Sequence, residues 1–511
     1  MRSRNSFLTM LTGITSMLVI GILGFLKIKF FISGLGDDAN GLIQMITRIL
    51  SYLSLAELGL GSALIYRLYK PLAENDKEQV SIIMNTANHF FIKIGFFILG
   101  LLFALMFLIP IIIKNNSYDN FYLYQIFILI GIPYVIEYLW YKKYYILLCS
   151  DQKQYIVNLV INGCTIIYDI IVIIALINGI SLTTFVLLNY PFIIIKGIGL
   201  QMVCKKRYSY IKKTNKIDKN SVELSKDVFV HNLGYSINNS SDQIVLSIFN
   251  GLSFVSIYSS YYYIVKYLKD AVDAILKSTT HSFGNLFAQK EDRNKKGYSV
   301  YKEYLSFSSV FAIIITTTFF VSIIPFINIW IGKSEYILSF PAILAFTCLV
   351  FANIITIPIS IMATSNGVFK QTKYYSFLAT IVNILLSILL IKKYEIAGIV
   401  FATVFSKLFI WAPLTIKVLY RDVFFEHSKK DFYFRTLIST ICVAIIICLS
   451  LLLKVGTLYT NSFTNWVLIS LVFFVIIALL ICCAYFIFDE SFKQFVKRCI
   501  KVFSRRKKWK Y

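Results

Sequence analysis

The sequence predicts an all-α polytopic membrane protein of about 14 transmembrane helices, and three observations carry that prediction. Apolar residues make up 58% of the 511 and charged residues 15%, with a mean hydropathy of +0.71, a balance that water-soluble domains do not show. Apolar runs long enough for the roughly 20 residues that cross a bilayer as a helix recur along the whole chain. Membrane barrels use alternating segments of about 10 residues instead, so continuous runs exclude them. The basic residues, finally, collect on alternate connections. The net charge of +25 therefore reads as membrane topology, and no nucleic-acid partner is expected.

Taken in order, spans are expected at about 9–31, 41–65, 88–113, 121–141, 155–177 and 182–203, then at 228–250, 253–276, 304–331, 338–363, 374–391, 396–416, 436–455 and 464–488. The start, MRSRNSFLTML, opens an apolar run too long for a signal-peptide core and reads as a retained first span. An even number of spans puts both termini on one side, and the positive-inside rule makes that side cytoplasmic. The outer side carries only Lys114, Lys333, Lys392, Lys393 and Lys454 as basic residues. The outer connections are short. Nine cysteines and the histidines His89, His231, His281 and His427 are scattered, so neither a metal site nor a disulfide framework is expected.

The connector 205–226 carries eight basic residues and interrupts the apolar pattern after six spans; six more follow before the basic stretch 421–435. This suggests a lobe over 1–204, the connector 205–226, a second lobe over 227–420, an appended helix pair over 421–488 and a basic cytoplasmic tail over 489–511. A weak internal echo agrees with two halves. LGDDANGLIQMITRIL from Leu35 parallels NGLSFVSIYSSYYYIV from Asn250, and NGISLTTFV from Asn178 parallels IAGIVFATV from Ile396. Halves of six spans share one orientation, which implies a pseudo-two-fold axis along the membrane normal.

Charges inside spans mark the site, because a lysine at the bilayer centre costs about 2.5–3.5 kcal/mol unless it faces a cavity or a partner. YSSYYYIVKYLKDAVD, from Tyr258 to Asp273, is the most costly stretch. Lys266 to Asp270 and Lys269 to Asp273 are i,i+4 spacings on one helical face, which Ser259, Tyr262, Tyr263 and Lys277 extend. Tyr258, Tyr262 and Tyr263 are the aromatic members of this seam. It lines a substrate path, or else the lysines and aspartates neutralise each other. Arg48, on the counterpart helix of the first half, offers a planar fork suited to phosphate. Glu57, nine residues on, faces the opposite side of the helix, so Glu137 or Asp242 competes with it as the partner of Arg48. Lys27, Lys29 and Lys93 lie near span ends and can snorkel; Asp169, Lys196 and Lys407 complete the intramembrane set. Asp242, in NNSSDQIVLSI, sits in an oxygen-rich patch that suits a coupling cation or proton, or simply helix packing. Asn383 is a further oxygen donor. Asp37 and Asp38, in the first outer turn, are the best support for an enzyme reading, as a metal-holding or basic pair.

LGDDANGLIQMITRILSYLSLAELGLGSALIYRLYKPLAENDKEQV resembles the second-helix region of Wzx-type oligosaccharide flippases, polysaccharide exporters of the multidrug/oligosaccharidyl-lipid/polysaccharide superfamily. SDQIVLSIFNGLSFVSIYSSYYYIV, SFGNLFAQKE and EIAGIVFATVFS are similar to later regions of that family. The resemblance implies two six-helix lobes around a central cavity, a bacterial cytoplasmic-membrane location, and translocation of undecaprenyl-diphosphate-linked oligosaccharide by alternating access. It also implies coupling by Na+ or H+ with no other cofactor, and polysaccharide polymerase and assembly proteins as partners beside membrane lipids. By helix number it places Lys27, Arg48 and Lys266 in the cavity wall; lysine at 27 and 266, where lipid II flippases use arginine, weakens bidentate phosphate contact there. A cation-coupled multidrug antiporter is the alternative, and a polytopic glycosyltransferase or polymerase a more distant one.

Overall fold

The computed structural model describes residues 2–53, 57, 60–113, 118–212, 214, 216–218, 241–277, 295–366, 368–460 and 462–506. The part of the expected seventh span before Ser241, the connector beyond Asp218, SFGNLFAQKE and the end of the tail lie outside the described residues. No strand occurs among the described residues, which are overwhelmingly helical. Ten helical segments among them are long and apolar enough to cross a membrane. The segment Tyr374–Asp422 contains two of the expected spans. The second expected span is broken, the seventh is only partly described, and the eighth carries four charges. The difference from fourteen lies in those places.

The chain divides into two compact units, Met1–Ser259 and Ser260–Tyr511. In the first unit, α1 (Arg2–Leu35), α2 (Asp37–Leu53), α3 (Leu60–Glu74) and α4 (Lys77–Met106) are followed by α5 (Asn120–Ile136) and α6 (Lys142–Ser150), then by α7 (Gly163–Ile177), α8 (Asn189–Arg207) and α9 (Ser241–Phe249). A wide π turn, Glu137–Tyr141, joins α5 to α6, and a second one, Asn158–Asn162, precedes α7. In lipid the helices gain nothing by hiding apolar side chains from one another, so close backbone approach and polar bonds hold them. Asn162 donates to Ser16 Oγ at 2.8 Å and Asn158 to Thr12 Oγ1 at 3.2 Å, stitching α7 and its π turn to α1. Gly131 of α5 admits Leu102 of α4 into space its own Cβ would occupy.

Helix α10 (Leu252–Lys277) begins in the first unit, and the division between units falls within it. Its first turn meets the first turn of α2. Ser253 donates to Asp38 at 2.7 Å, Asn40 to Ser256 Oγ at 2.6 Å, and Gly41 lies against the Leu252 carbonyl. The turns that launch the two helices match: Gly36 has φ +89° and Gly251 φ +91°, left-handed values that favour glycine. The second sequence parallel shifts. Gly179 has φ +75°, yet its left-handed counterpart is Glu395 at +47°, not Gly398. Part of the connector is anchored rather than free, for Arg67 of α3 forks Asp218 through two 3.0 Å bonds and the Asp218 amide donates to Thr86.

In the second unit α11 (Lys295–Trp330), with α12 (Phe340–Ile355), α13 (Ile357–Ser365), α14 (Phe369–Phe405) and α15 (Ala412–Asp422), precedes α16 (Lys430–Leu452), α17 (Phe463–Phe488) and α18 (Glu490–Arg506). The backbone of α14 turns at Glu395 (ψ −127°), so it is two helices, divided between the eleventh and twelfth expected spans. The window of α17 that crosses the membrane is only 6% buried, as a lipid-facing helix should be. Arg435 forks Asp489 at the start of α18, and Ser306 donates to the same carboxylate at 2.6 Å. Burial pushes the Asp489 carboxyl up, but bonds from Arg435 and Ser306 outweigh it and hold the group below the usual carboxylate range.

A Cβ on Gly41 would lie 2.0 Å from the Leu252 carbonyl oxygen, backbone against backbone. Gly41→Ala should therefore cost about 1–3 kcal/mol and lower the melting temperature in detergent, whereas Gly100→Ala, with open space around it, should not. Equal melting of the two variants would contradict this close approach.

Candidate functional site

The first unit carries a half-open cavity of about 480 Å³. Helical periodicity explains its wall. Asn40, Ile43, Gln44 and Thr47 recur at i, i+3, i+4, i+7 on α2, while Leu42, Met45, Ile46 and Ile49 on the other side are buried in the core. Asn189, Ile193 and Lys196 follow the same spacing on α8. Helix α5 supplies Ile130, Pro133 and Tyr134, and its π turn supplies Glu137 and Tyr141. A π turn closes with i→i+5 bonds, here from the Lys142 amide to the Glu137 carbonyl, and such widenings are frequent at functional sites. Lys27 and Phe31 of α1, Tyr168 of α7, and Phe185 complete the polar and aromatic lining.

Three lysines define its electrostatics. Lys27 Nζ pairs with Asp169 Oδ1 at 2.5 Å; the aspartate is fully buried and the lysine 28% exposed. The same ammonium lies 5.7 Å from the Tyr168 ring centroid. Lys142 stands behind the wall, bridging Glu57 at 3.0 Å and Glu137 at 3.1 Å, and Tyr138 donates to Glu57 at 2.6 Å. Lys196 lines the cavity with no hydrogen-bond or ion-pair partner among the described residues. It lies within electrostatic range of Lys27, Asp169 and Glu137.

Several sequence expectations find a definite place. Glu57 and Glu137, weighed with Asp242 as alternatives for a partner of Arg48, both pair with Lys142. Arg48 is half-buried and is not among the residues that line the cavity; it lies 40° round α2 from Gln44, on the side away from Asn40 and Thr47, at 100° per residue. Lys266 pairs with Asp270 at 3.3 Å and Lys269 with Asp273 at 3.5 Å, the i,i+4 neutralisation that the spacing allowed. Tyr258 is buried and donates to Asp242 at 2.8 Å. Tyr262 and Tyr263 are half-buried, with Tyr263 4.7 Å from the Tyr267 ring. Asn383 is buried and donates to Thr403 at 2.8 Å. Arg48 belongs to the first unit and Lys266 and Lys269 to the second, and each stands within its own unit. Lys407 donates to Asn353 at 2.5 Å. No cluster of metal-ligating side chains occurs among the described residues.

Lys196 was visible in the sequence only as one intramembrane charge among several. The polar stripe Asn40, Gln44 and Thr47 was a signal that could have found the wall; the convergence of α1, α2, α5, α7 and α8 on it was not legible from spacing.

No protein-family model and no curated relative matches the chain. Solved structures do. A lipid II flippase MurJ in an inward closed conformation superposes with a TM-score of 0.67 at 17% identity, covering 93% of this chain and 98% of that one. An inward-facing multidrug resistance MATE family transporter of the MOP superfamily gives 0.63 at 13% identity, covering 83% and 95%. The eukaryotic MATE transporter AtDTX14 gives 0.55 at 13% identity, covering 86% and 99%. The chain is thus a multi-pass helical membrane protein that shares the fold of these solved structures.

With Lys142 replaced, two carboxylates share an apolar wall with no ammonium between them. Breaking a buried pair typically costs about 3–5 kcal/mol. Lys142→Met should therefore lower the melting temperature in detergent clearly more than Glu57→Gln, which leaves Lys142 its Glu137 partner. Equal losses would show that the lysine does not bridge both.

Proposed function

We propose that the protein is a flippase that carries undecaprenyl-diphosphate-linked oligosaccharide from the inner to the outer leaflet of a bacterial cytoplasmic membrane, for surface polysaccharide assembly. The observation that carries this reading is the cavity of the first unit, which combines a cation, Lys196, that has no ion-pair or hydrogen-bond partner among the described residues with an aromatic lining and amide side chains. An ammonium suits phosphate oxygens; Asn40, Gln44 and Asn189 suit sugar hydroxyls; Tyr134 and Tyr168 offer rings for sugar faces. The volume is that of a pocket for a headgroup-sized ligand, while the isoprenoid tail stays in lipid. No bond is made or broken. In the first unit Lys27 and Arg48 supply further positive charge and Asp242 an oxygen donor for Na+ or H+ coupling; in the second unit Lys266 and Lys269 supply positive charge, Tyr262 and Tyr263 aromatic surface, and Asn383 an oxygen donor. Alternating access moves the ligand. Both termini face the cytoplasm, and a polysaccharide polymerase and assembly proteins act on the product.

A cation-coupled drug antiporter is a second reading, favoured by Glu137 in the cavity wall and by the likeness to a multidrug transporter. The enzyme reading has less support, since the solved structures that the chain resembles are a flippase and transporters; Asp38 accepts from Ser253 at the α2–α10 contact.

Reconstituted in proteoliposomes, the wild type should move a fluorescent undecaprenyl-diphosphate-linked oligosaccharide to the leaflet where an impermeant quencher reaches it. Arg48→Ala and Lys266→Ala should abolish that transfer and leave membrane insertion intact. Full transfer by both variants, or efflux of a lipophilic cation with no lipid transfer, would overturn the proposal.

A further inference from the structure

The cavity of the first unit holds two lysines in unlike states. Lys27 is committed: its ammonium is on the Asp169 carboxylate at 2.5 Å, and that carboxylate has almost no exposed surface. Lys196 is uncommitted, with no ion-pair or hydrogen-bond partner among the described residues. The acidic group of the lining nearest in kind, Glu137, is already occupied by Lys142 at 3.1 Å. An ammonium in an apolar bundle with carboxylates in range but none in contact is only partly compensated, and an anion entering the cavity to touch it would relieve the remaining cost.

We propose that Lys196 is the primary anchor for the anionic phosphate of the ligand, and that Asp169 holds Lys27 in reserve by competing with the ligand for it. The proposal rests on the reading above, in which a phosphate headgroup enters this cavity. Phosphate oxygens pair first with Lys196. A second contact, to Lys27, forms only by displacing Asp169, so the Lys27–Asp169 pair sets how tightly the headgroup is held. A flippase has to release what it binds, and an internal carboxylate that competes for one of two cations weakens the grip without removing the site.

This arrangement predicts opposite signs for two neutralising substitutions. Binding of undecaprenyl diphosphate to the full-length protein in nanodiscs is measured, with inorganic pyrophosphate as the soluble arm. Lys196→Gln should weaken binding of the lipid about 10-fold, equivalent to about 1.4 kcal/mol. Asp169→Asn should tighten it several-fold by freeing Lys27, and Lys27→Gln should cost more in the Asp169→Asn background than in the wild type. Binding of pyrophosphate with the same ranking assigns recognition to the phosphates; binding of the lipid alone, with the same ranking, adds the isoprenoid chain to what the site reads.

If Asp169 only braces α1 against α7, Asp169→Asn weakens binding along with the melting temperature. The Lys27→Gln/Asp169→Asn double variant covers the case in which Asp169→Asn folds poorly: it should bind like the wild type through Lys196. A wild type that binds neither probe overturns the functional reading itself. A wild type that binds, with Lys196→Gln binding equally well or Asp169→Asn binding more weakly at unchanged melting temperature, overturns this inference and leaves that reading standing.

Discussion

The constraint on which the structure depends is the cost of charge in hydrocarbon. Every ionised side chain inside a span has to find a partner or a wet cavity, and the described chain answers that demand in three ways. Lys142 sits between Glu57 and Glu137, and Lys27 sits on Asp169. Lys266 and Lys269 use the aspartates one turn away on their own helix. Lys196 alone among these lines a cavity with no described partner. Where the protein leaves a charge uncompensated is where a ligand of opposite charge gains most.

The same demand shapes the backbone. Helix α5 does not run straight through the wall of the cavity; Pro133 breaks its ladder and the π turn at Glu137–Tyr141 widens it. That widening lets Glu137 line the cavity while still reaching Lys142. On the other side of the unit, α2 presents a polar stripe to the cavity and an apolar face to the core, and its first turn meets that of α10 through Asn40, Ser256 and the side-chain-free Gly41. The two helices start from turns of nearly the same left-handed φ, at Gly36 and Gly251. The internal echo in the sequence therefore has a backbone counterpart at these turns.

The fold was largely legible in the sequence because hydropathy runs report helices that must satisfy their backbone internally. The short ruler failed only where chemistry interrupts the run. The second expected span is two helices, α2 and α3, and the eighth is a helix whose charges lower its hydropathy. The site was less legible. Periodicity put Lys266 over Asp270 and Lys269 over Asp273, since partners on one helix are a matter of spacing. It could not bring Glu57 to Lys142, or Lys27 to Asp169, because those partners lie far apart in the chain and meet only through helix packing. Tyr258 shows the same limit: its bond to Asp242 joins two helices, which spacing along one helix does not report.

The claim at the centre of this account is that Lys196 faces an aqueous cavity that receives an anionic headgroup. Its direct measurement is the reactivity of cysteine placed at 196, in membranes, in a protein otherwise free of cysteine, toward a charged thiol reagent. Lys196→Cys should be modified readily and Asp169→Cys little, and undecaprenyl diphosphate should protect Asn189→Cys, a lining position that leaves Lys196 in place. Failure of the reagent to reach position 196, or reaction at position 189 that the lipid does not slow, would contradict it.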